Sequence, residues 1–281
     1  MEDNLQVISL DHKKVWYEVV NNRQIVNKRT SYQEKDNLLK AKDFLKNKGI
    51  KINDIHYSIQ VPNIYAWNEN TNILSMSYCK GENLELLLRN PHTRQKAIPF
   101  LQSTMRFILA QHFYWQDYAP RNIIIDDENI YLIDFEKGLD FSINDLQTFF
   151  RNHVFEEYSS FLLPNERLIS SEQIFFSSLK EKNKKINISD IKVKRVKSIA
   201  IALGYTDTIS MEEYLNIQKM IIKAEEPFYN GSELVFPRVQ LVKILEDKSI
   251  NPSVYQKYAN EILLRNNIVP QQINIEEAER D

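Results

Sequence analysis

Short runs of β-branched and aromatic residues, each closed by a polar turn, dominate the first 76 positions of the chain. The runs either alternate apolar and polar side chains or are rich in strand formers, which is typical of half-buried β-strands. They lie at positions 5–10, 15–20, 24–28, 59–61 together with 64–67, and 73–76. This pattern predicts one five-stranded sheet, whose first three strands form a meander.

A helical pattern interrupts the strands between positions 31 and 49. Apolar residues follow Glu34 at intervals of four, three and four positions, so all of them share one face of a helix. Ser31 is the predicted N-cap, and Glu34 would close a capping box with it. Gly49 is the predicted residue that stops the helix at its C-terminal end.

Helices dominate the remainder of the chain. Apolar residues at helical spacing predict a long helix over 97–114, a helix beginning at Ser142, and later helices at 196–203, 211–224, 239–245 and 255–264. The acidic end of the chain, 274–281, is predicted to fray. The apolar runs are far shorter than the 18 residues or more that indicate a membrane span, so no interaction with a membrane is predicted.

The stretch from Trp115 to Gly138 places polar side chains at the two ends of a predicted hairpin. Asp117 and Asn122 belong to a loop in which Pro120 prevents a regular helix. Two short apolar runs joined by a polar turn follow, and the second run ends at Asp134. Strands of similar length bring the side chains of Asn122 and Asp134 close together.

Crowded oxygen groups at one hairpin end predict a bound cation. Carboxylates that lie side by side repel one another unless they share a cation or a proton. Mg²⁺ suits such ligands, because it takes one or two carboxylates and completes its coordination with substrate phosphates. An Asp and an Asn five positions apart are also compatible with a surface hairpin that has polar ends.

Two segments of this hairpin resemble the protein-kinase-like superfamily. Asp117-Tyr-Ala-Pro-Arg-Asn122 resembles the catalytic loop H-R-D-x-x-x-x-N, and Leu132-Ile-Asp-Phe-Glu136 resembles the metal-binding D-F-G segment. Trp115-Gln116 replaces the His-Arg of the loop, and Glu136 replaces the Gly of D-F-G. An Asp-Phe-Glu segment, with no A-P-E motif after it, is similar to choline kinases and some aminoglycoside phosphotransferases.

The resemblance implies a bilobal α+β fold. Its N-terminal lobe, a small antiparallel sheet, would span residues 1–76, its hinge residues 77–84, and its mainly helical C-terminal lobe residues 85–281. Asp117 would be the catalytic base, and Asn122 and Asp134 would hold Mg²⁺. Arg121 resembles the Arg of the tyrosine-kinase loop and would stabilise the transferring phosphoryl group.

The resemblance also implies residues that bind ATP. Lys28, at the end of the third predicted strand, resembles the strand-three Lys that pairs with the α- and β-phosphates. Its acidic partner would be Glu34 or Asp36, and the sequence does not decide between them. In the segment that resembles the kinase hinge, backbone groups of Ser77 and Cys79 would bind the adenine edge, and Met76 would line its pocket.

Composition narrows the function further. The 281 residues carry a net charge of −2, which gives no basic field for nucleic acid. Cys79 is the single cysteine, and a chain with no internal disulfide fits the cytoplasm. The first residues lack the basic and apolar segments of a signal peptide.

These observations predict an ATP- and Mg²⁺-dependent kinase that phosphorylates a hydroxyl group of a small molecule. An antibiotic, a sugar, a choline-like alcohol or a peptide natural product would be the acceptor. An atypical protein Ser/Thr kinase is the first alternative. A nucleotide-binding pseudokinase is the second, because the place of the Gly-rich loop, positions 10–14, contains no glycine.

Overall fold

A computed structural model describes residues 8–11, 14–140, 155–168, 184–191, 193–246 and 254–270. The chain divides into two compact units, Met1–Leu146 and Gln147–Asp281. The predicted helix at Ser142 begins outside the described residues, as does the predicted frayed end. Both units combine helices with antiparallel strands, which confirms a mixed α and β class. The predicted lobe boundaries stay a prediction.

A five-stranded antiparallel sheet forms the first part of unit 1, with strand order β1-β2-β3-β7-β6. Its strands are β1 Ile8–Asp11, β2 Val15–Val20, β3 Arg23–Arg29, β6 Ile64–Asn68 and β7 Ile73–Ser77. Asn21 and Asn22 both have positive φ, as the tight hairpin turn between β2 and β3 requires. The predicted meander is therefore confirmed.

A second five-stranded sheet was not predicted. Its order is β4-β5-β11-β10-β8, with β4 Gly49–Ile52, β5 Ile55–Gln60, β8 Glu82–Asn83, β10 Ile123–Ile125 and β11 Asn129–Leu132. The expected single strand over 59–67 is wrong, because Pro62 interrupts it, and proline cannot donate to a central ladder. The first of the two separate strands, β5, pairs in parallel with β11. It therefore extends the sheet beside the hairpin that β10 and β11 form.

The first helix, α1 Tyr32–Leu45, begins after Ser31 as predicted, but its ends are made differently. The Ser31 side chain makes no capping hydrogen bond, and Glu34 points to a tertiary partner instead. Gly49 is not the helix stop. It opens β4, where an added Cβ would lie 2.5 Å from the His56 ring and from the Tyr57 carbonyl.

Two helices connect the first sheet to the hairpin. Asn83 accepts hydrogen bonds at the start of α2 Leu84–Arg89, as expected of a cap. α3 Pro91–Gln111 then ends at His112, which adopts a left-handed conformation. The predicted helix over 97–114 therefore exists, but it begins and ends earlier. Two short strands, β9 Tyr114–Trp115 and β12 Leu139–Asp140, pair around the hairpin.

Unit 2 is mainly helical. Its described elements are α4 Phe155–Ser159, β13 Lys185–Asn187, α5 Lys194–Ala202, β14 Thr208–Ser210, α6 Met211–Glu225, β15 Phe228–Asn230, β16 Glu233–Val235, α7 Pro237–Glu246 and α8 Val254–Arg265. The last four predicted helices correspond to α5 to α8. Among the helices in the described ranges, none combines the length and apolarity needed to cross a bilayer.

Glu225 is the centre of a buried charge cluster in unit 2. Its side chain is 1% exposed and accepts hydrogen bonds from Arg195, Arg238 and Tyr258. Burial alone would raise the pKa of Glu225, but the charges of Arg238 and Arg195 outweigh it and lower the pKa. The carboxylate therefore stabilises the packing of α5, α7 and α8 on α6 only while it is ionised.

Replacing Glu225 by Gln should lower the free energy of unfolding by about 3–5 kcal/mol, because two arginines then face a neutral amide. A lowered folded-state pKa means that the contribution is complete above the unfolded pKa of about 4.3 and disappears below the folded value. The difference between wild type and Glu225→Gln in urea denaturation should therefore shrink below about pH 4.

Glu261→Gln is the matched control, because Glu261 pairs with Arg265 at the surface of α8. An exposed ion pair contributes about 0–1 kcal/mol. Equal costs for the two substitutions would contradict a stabilising role of the buried cluster.

Candidate active site

Pairing within the hairpin brings its two ends together. Ile123 lies opposite Leu132, and the Ile133 amide donates to the Asn122 carbonyl at 2.9 Å. Pro120 begins a short 3-10 turn that ends at Asn122, where β10 starts. Asn122 and the residue after Ile133, Asp134, therefore stand side by side, as the lengths of the two strands predicted.

Three donors surround the buried carboxylate of Asp117, which is 8% exposed. Its Oδ2 accepts from Asn122 Nδ2 at 3.0 Å. Its Oδ1 accepts from Arg121 Nη2 at 3.2 Å and from Lys137 Nζ at 2.5 Å. Arg121 and Lys137 are themselves largely exposed, so the two cations lie between this carboxylate and solvent.

The Lys28 ammonium lies between two carboxylates. Its Nζ is 2.8 Å from Glu34 Oε1 and 2.8 Å from Asp134 Oδ1. Burial alone would lower the pKa of Lys28, but the charge of Glu34 and the hydrogen bonds to Asp134 and Glu34 outweigh it, so the pKa is raised. The ammonium therefore stays charged and joins β3 and α1 to the end of the hairpin.

Glu34, not Asp36, is the partner of Lys28. The Glu34 side chain is 1% exposed and also accepts a short hydrogen bond from the Thr30 hydroxyl. Asp36 instead pairs with Lys40, 2.7 Å away at the exposed surface of α1. The predicted capping box is wrong for this reason, since the buried ammonium is a stronger partner for Glu34 than the Ser31 amide.

Two buried side chains hold the backbone after the hairpin. Asp134 has a φ of 63°, an uncommon value for a residue with a side chain. Its carbonyl accepts from Trp115 Nε1 at 3.0 Å, and the next carbonyl, of Phe135, accepts from Asn37 Nδ2 at 3.0 Å. Trp115 also stacks on the Phe135 ring. These contacts tie the backbone of residues 134 and 135 to β9 and to α1.

A cavity of about 250 Å³ lies beside these groups. One part of its lining is polar and contains Lys28, Glu34, Asn122 and Asp134. The rest is mostly apolar and is formed by β2, β3, β7 and the hairpin, with the side chains of Val15, Val26, Pro62, Met76, Ser77, Tyr78, Cys79, Ile124 and Ile133. The three predicted hinge residues and four of the predicted phosphate and metal residues thus share one cavity.

Cys79 lines this cavity and is not a reactive group. Burial, together with the charge of Asp126, raises the pKa of the Cys79 thiol to about 12. Only the thiolate is strongly nucleophilic, so a protonated buried cysteine is inert at neutral pH.

The oxygen groups around Lys28 fit a divalent cation. Glu34, Asp134 and Glu136 each offer a carboxylate oxygen, and these oxygens lie within 4.8 Å of one another. The Asn122 amide turns its nitrogen toward Asp117, which leaves its oxygen as the atom for a cation. Hard oxygen donors of this kind are the ligands that Mg²⁺ prefers.

Several residues of this site were missed at the level of sequence. Glu136 and Lys137 directly follow the Asp-Phe pair, and their charges were the available signal. Thr30 and Asn37 gave no such signal, because both side chains are neutral, and the partner of Asn37 is 98 positions away. The sequence indicated only that Trp115 takes the place of the His in the kinase loop. In the structure its indole nitrogen donates a hydrogen bond to the Asp134 carbonyl.

A scan of protein-family models and a search of curated proteins gave no match to this chain. Among solved structures, the chain is similar to a choline/ethanolamine kinase family protein from Mesorhizobium loti, with a TM-score of 0.37 and 9% identity. The alignment covers 95% of this chain and 88% of that chain. A TM-score of this size is too low to show a shared fold, and the roles of the site residues rest on their own geometry.

Removing the Lys28 ammonium should destabilise the protein more than removing one of its carboxylate partners. Lys28→Met leaves the buried Glu34 without its cation, for an expected loss of about 3–5 kcal/mol in urea denaturation at pH 7. Glu34→Gln should cost less, because Lys28 keeps Asp134.

The double variant Lys28→Met/Glu34→Gln should recover part of the stability lost in Lys28→Met, because no buried charge is then left unpaired. Strictly additive losses in this cycle would contradict the ion pair. Lys40→Met, which removes the exposed partner of Asp36, is the control and should change stability by about 1 kcal/mol or less.

Cys79 should react slowly with iodoacetamide in the folded protein. Raising a thiol pKa from 9.0 to about 12 lowers the thiolate fraction at pH 8 by about a thousandfold. Because Cys79 is the single cysteine, the rate of mass increase reports this site alone. Labelling in urea is the reference, and equal rates in folded and unfolded protein would contradict the burial of the thiol.

Proposed function

We propose that this protein is an ATP- and Mg²⁺-dependent kinase that transfers the γ-phosphoryl group to a hydroxyl of a small molecule. One observation carries the proposal: Lys28, with Glu34 and Asp134 on either side, lies in the same cavity as Asn122. The cavity thus combines a half-buried cation for phosphates with oxygen ligands for a metal ion.

The nucleotide would bind with its base against the apolar lining. Met76 and Ser77 end β7 and Cys79 follows the strand, and all three belong to that lining, so their backbone groups would be within reach of a planar base. Lys28 would contact the α- and β-phosphates, and Glu34 orients it from the helix side. A volume of about 250 Å³ suits the nucleoside part, because pockets for whole drug-sized ligands usually measure about 300–1,000 Å³.

Asn122 and Asp134 would hold Mg²⁺, as the resemblance implies, and Glu34 and Glu136 contribute nearby negative charge. When bound, the ion neutralises phosphate charge and orients the phosphates. The chain's own part is to keep these oxygen atoms in place. Trp115 supports that task through the backbone carbonyl of residue 134.

Asp117 would accept the proton of the acceptor hydroxyl. Asn122 holds one of its oxygens, which orients the carboxylate. Arg121 and Lys137 contact the other oxygen from the exposed side, where the acceptor would enter. Cations at this position stabilise the charge of a transferring phosphoryl group, which is the main way that proteins accelerate this reaction.

Asp134→Asn and Asp117→Asn should each lower Mg²⁺-dependent ADP release from ATP by at least about a hundredfold. The first removes a charged metal ligand and the second removes the base, and losses of this size are usual for groups that stabilise the transition state directly. ADP release is measured by a coupled assay, first with water as the acceptor and then with a panel of hydroxylated metabolites and proteins.

Asp127→Asn is the control, because Asp127 is an exposed residue of the turn in the same hairpin. It should leave the rate unchanged. Unchanged turnover in Asp134→Asn would refute the metal assignment. Binding of ATP without turnover on any acceptor would favour a pseudokinase, and labelling of proteins alone would favour a protein kinase.

A further inference from the structure

Asn37 is a buried polar residue of α1 that the proposed function does not use. Its side chain is 4% exposed, and its Nδ2 donates to the Phe135 carbonyl at 3.0 Å, across 98 positions of the chain. Buried polar side chains are nearly always paired, and backbone groups are among their commonest partners. A contact this distant therefore connects two parts of the site.

This hydrogen bond closes a ring of contacts. Asn37 stands one helical turn after Glu34, so both project from the same buried face of α1. Glu34 contacts Lys28, and Lys28 contacts Asp134. Phe135 follows Asp134 in the chain, and its carbonyl accepts the hydrogen bond from Asn37, which closes the circle of contacts. Helix α1 is therefore connected to residues 134 and 135 in two ways. Glu34 reaches Asp134 through the Lys28 ammonium, and Asn37 contacts the Phe135 carbonyl directly.

The segment needs such support because of its backbone. A left-handed conformation is unfavourable for a residue with a side chain, and surrounding contacts help to maintain it. At Asp134 the φ is 63°. The Asp134 carbonyl accepts a hydrogen bond from Trp115, and the Phe135 carbonyl accepts one from Asn37. Without the Asn37 amide, the second carbonyl would keep only the longer hydrogen bond from the Gly138 amide, at 3.3 Å, and the segment would lose its contact with α1.

We propose that Asn37 is a positioning residue for the metal ligand Asp134. The inference rests on the proposed function, because it assigns Asn37 to the Mg²⁺ site of that kinase. Asn37 does not touch nucleotide or metal itself. It fixes the backbone that aims the Asp134 carboxylate, much as outer hydrogen-bond partners orient the ligands of other metal sites.

The test is the gain in ATP affinity that Mg²⁺ provides, measured by titration calorimetry with ATP in EDTA and with ATP in excess Mg²⁺. Asn37→Ala should reduce this gain by about tenfold, the usual cost of losing an outer partner of a metal ligand. The affinity for ATP in EDTA should change by less than about threefold, because the apolar lining and Lys28 are unaltered.

Asn37→Leu is the second variant, since it keeps the side-chain volume and the helix but lacks the donor. It should reproduce the loss if Asn37→Ala fails to fold. Asn27→Ala is the matched control. Asn27 is 5% exposed and accepts one hydrogen bond, from Ser75 at 2.6 Å within the first sheet, so its loss should not alter the Mg²⁺ effect.

Different outcomes would refute the positioning role of Asn37 and the proposed kinase function. A wild-type protein with no Mg²⁺-dependent gain in ATP affinity would refute the proposed function, and the inference with it. A wild-type gain that persists in both Asn37 variants would overturn the positioning role alone. Equal losses of ATP affinity with and without Mg²⁺ would also overturn it, because they would indicate a general structural role.

Discussion

The pairing of the Lys28 ammonium with two carboxylates is the interaction on which the site depends. Glu34 is almost fully buried, and a buried carboxylate is tolerated only when a cation or several donors balance its charge. Lys28 supplies that cation from β3. The same ammonium reaches Asp134, which is 106 positions away in the chain. One cation thus sets the distance between the first sheet, α1 and the hairpin.

The hairpin can serve as the other side of this site because its strands belong to a larger sheet. An isolated two-stranded hairpin is marginally stable in water. Here β5 pairs with β11 and β8 pairs with β10, so both strands have neighbours on their outer edges. The Asn122 and Asp134 side chains therefore project from a rigid edge. Rigid support of this kind is what a metal ligand or a catalytic carboxylate requires.

Features with local causes could be predicted from the sequence. The hairpin follows from two apolar runs and a polar turn, and α1 follows from its periodicity. The second sheet could not be predicted, because its parallel pair joins β5 to β11, about 70 positions later, and depends on register rather than composition. At Glu34 the local capping pattern was wrong, since its carboxylate pairs with Lys28 of β3, a pairing that the resemblance left open between Glu34 and Asp36.

The hydrogen bonds of Asn37 and Trp115 could not be predicted from the sequence for a related reason. Their function is to donate to backbone carbonyls, and a carbonyl has the same chemistry at every residue, so no pattern of residue types indicates the contact. The charged members of the site differ, because a carboxylate or an ammonium in an apolar context is already a signal. Most of the charged side chains, though not Glu136 and Lys137, could therefore be named from the sequence, whereas the neutral groups that contact the backbone beside them required the structure.

Charge is distributed unevenly around the end of the hairpin. Three carboxylates, of Glu34, Asp134 and Glu136, lie near one ammonium, so this part of the site has a formal excess of two negative charges. That excess equals the charge of one divalent cation. At Asp117 the balance is reversed, because two cations contact one carboxylate. A metal ion bound at the first position and a phosphoryl group passing the second would neutralise both imbalances, which is why phosphoryl transfer fits this arrangement better than a purely structural cluster of ion pairs.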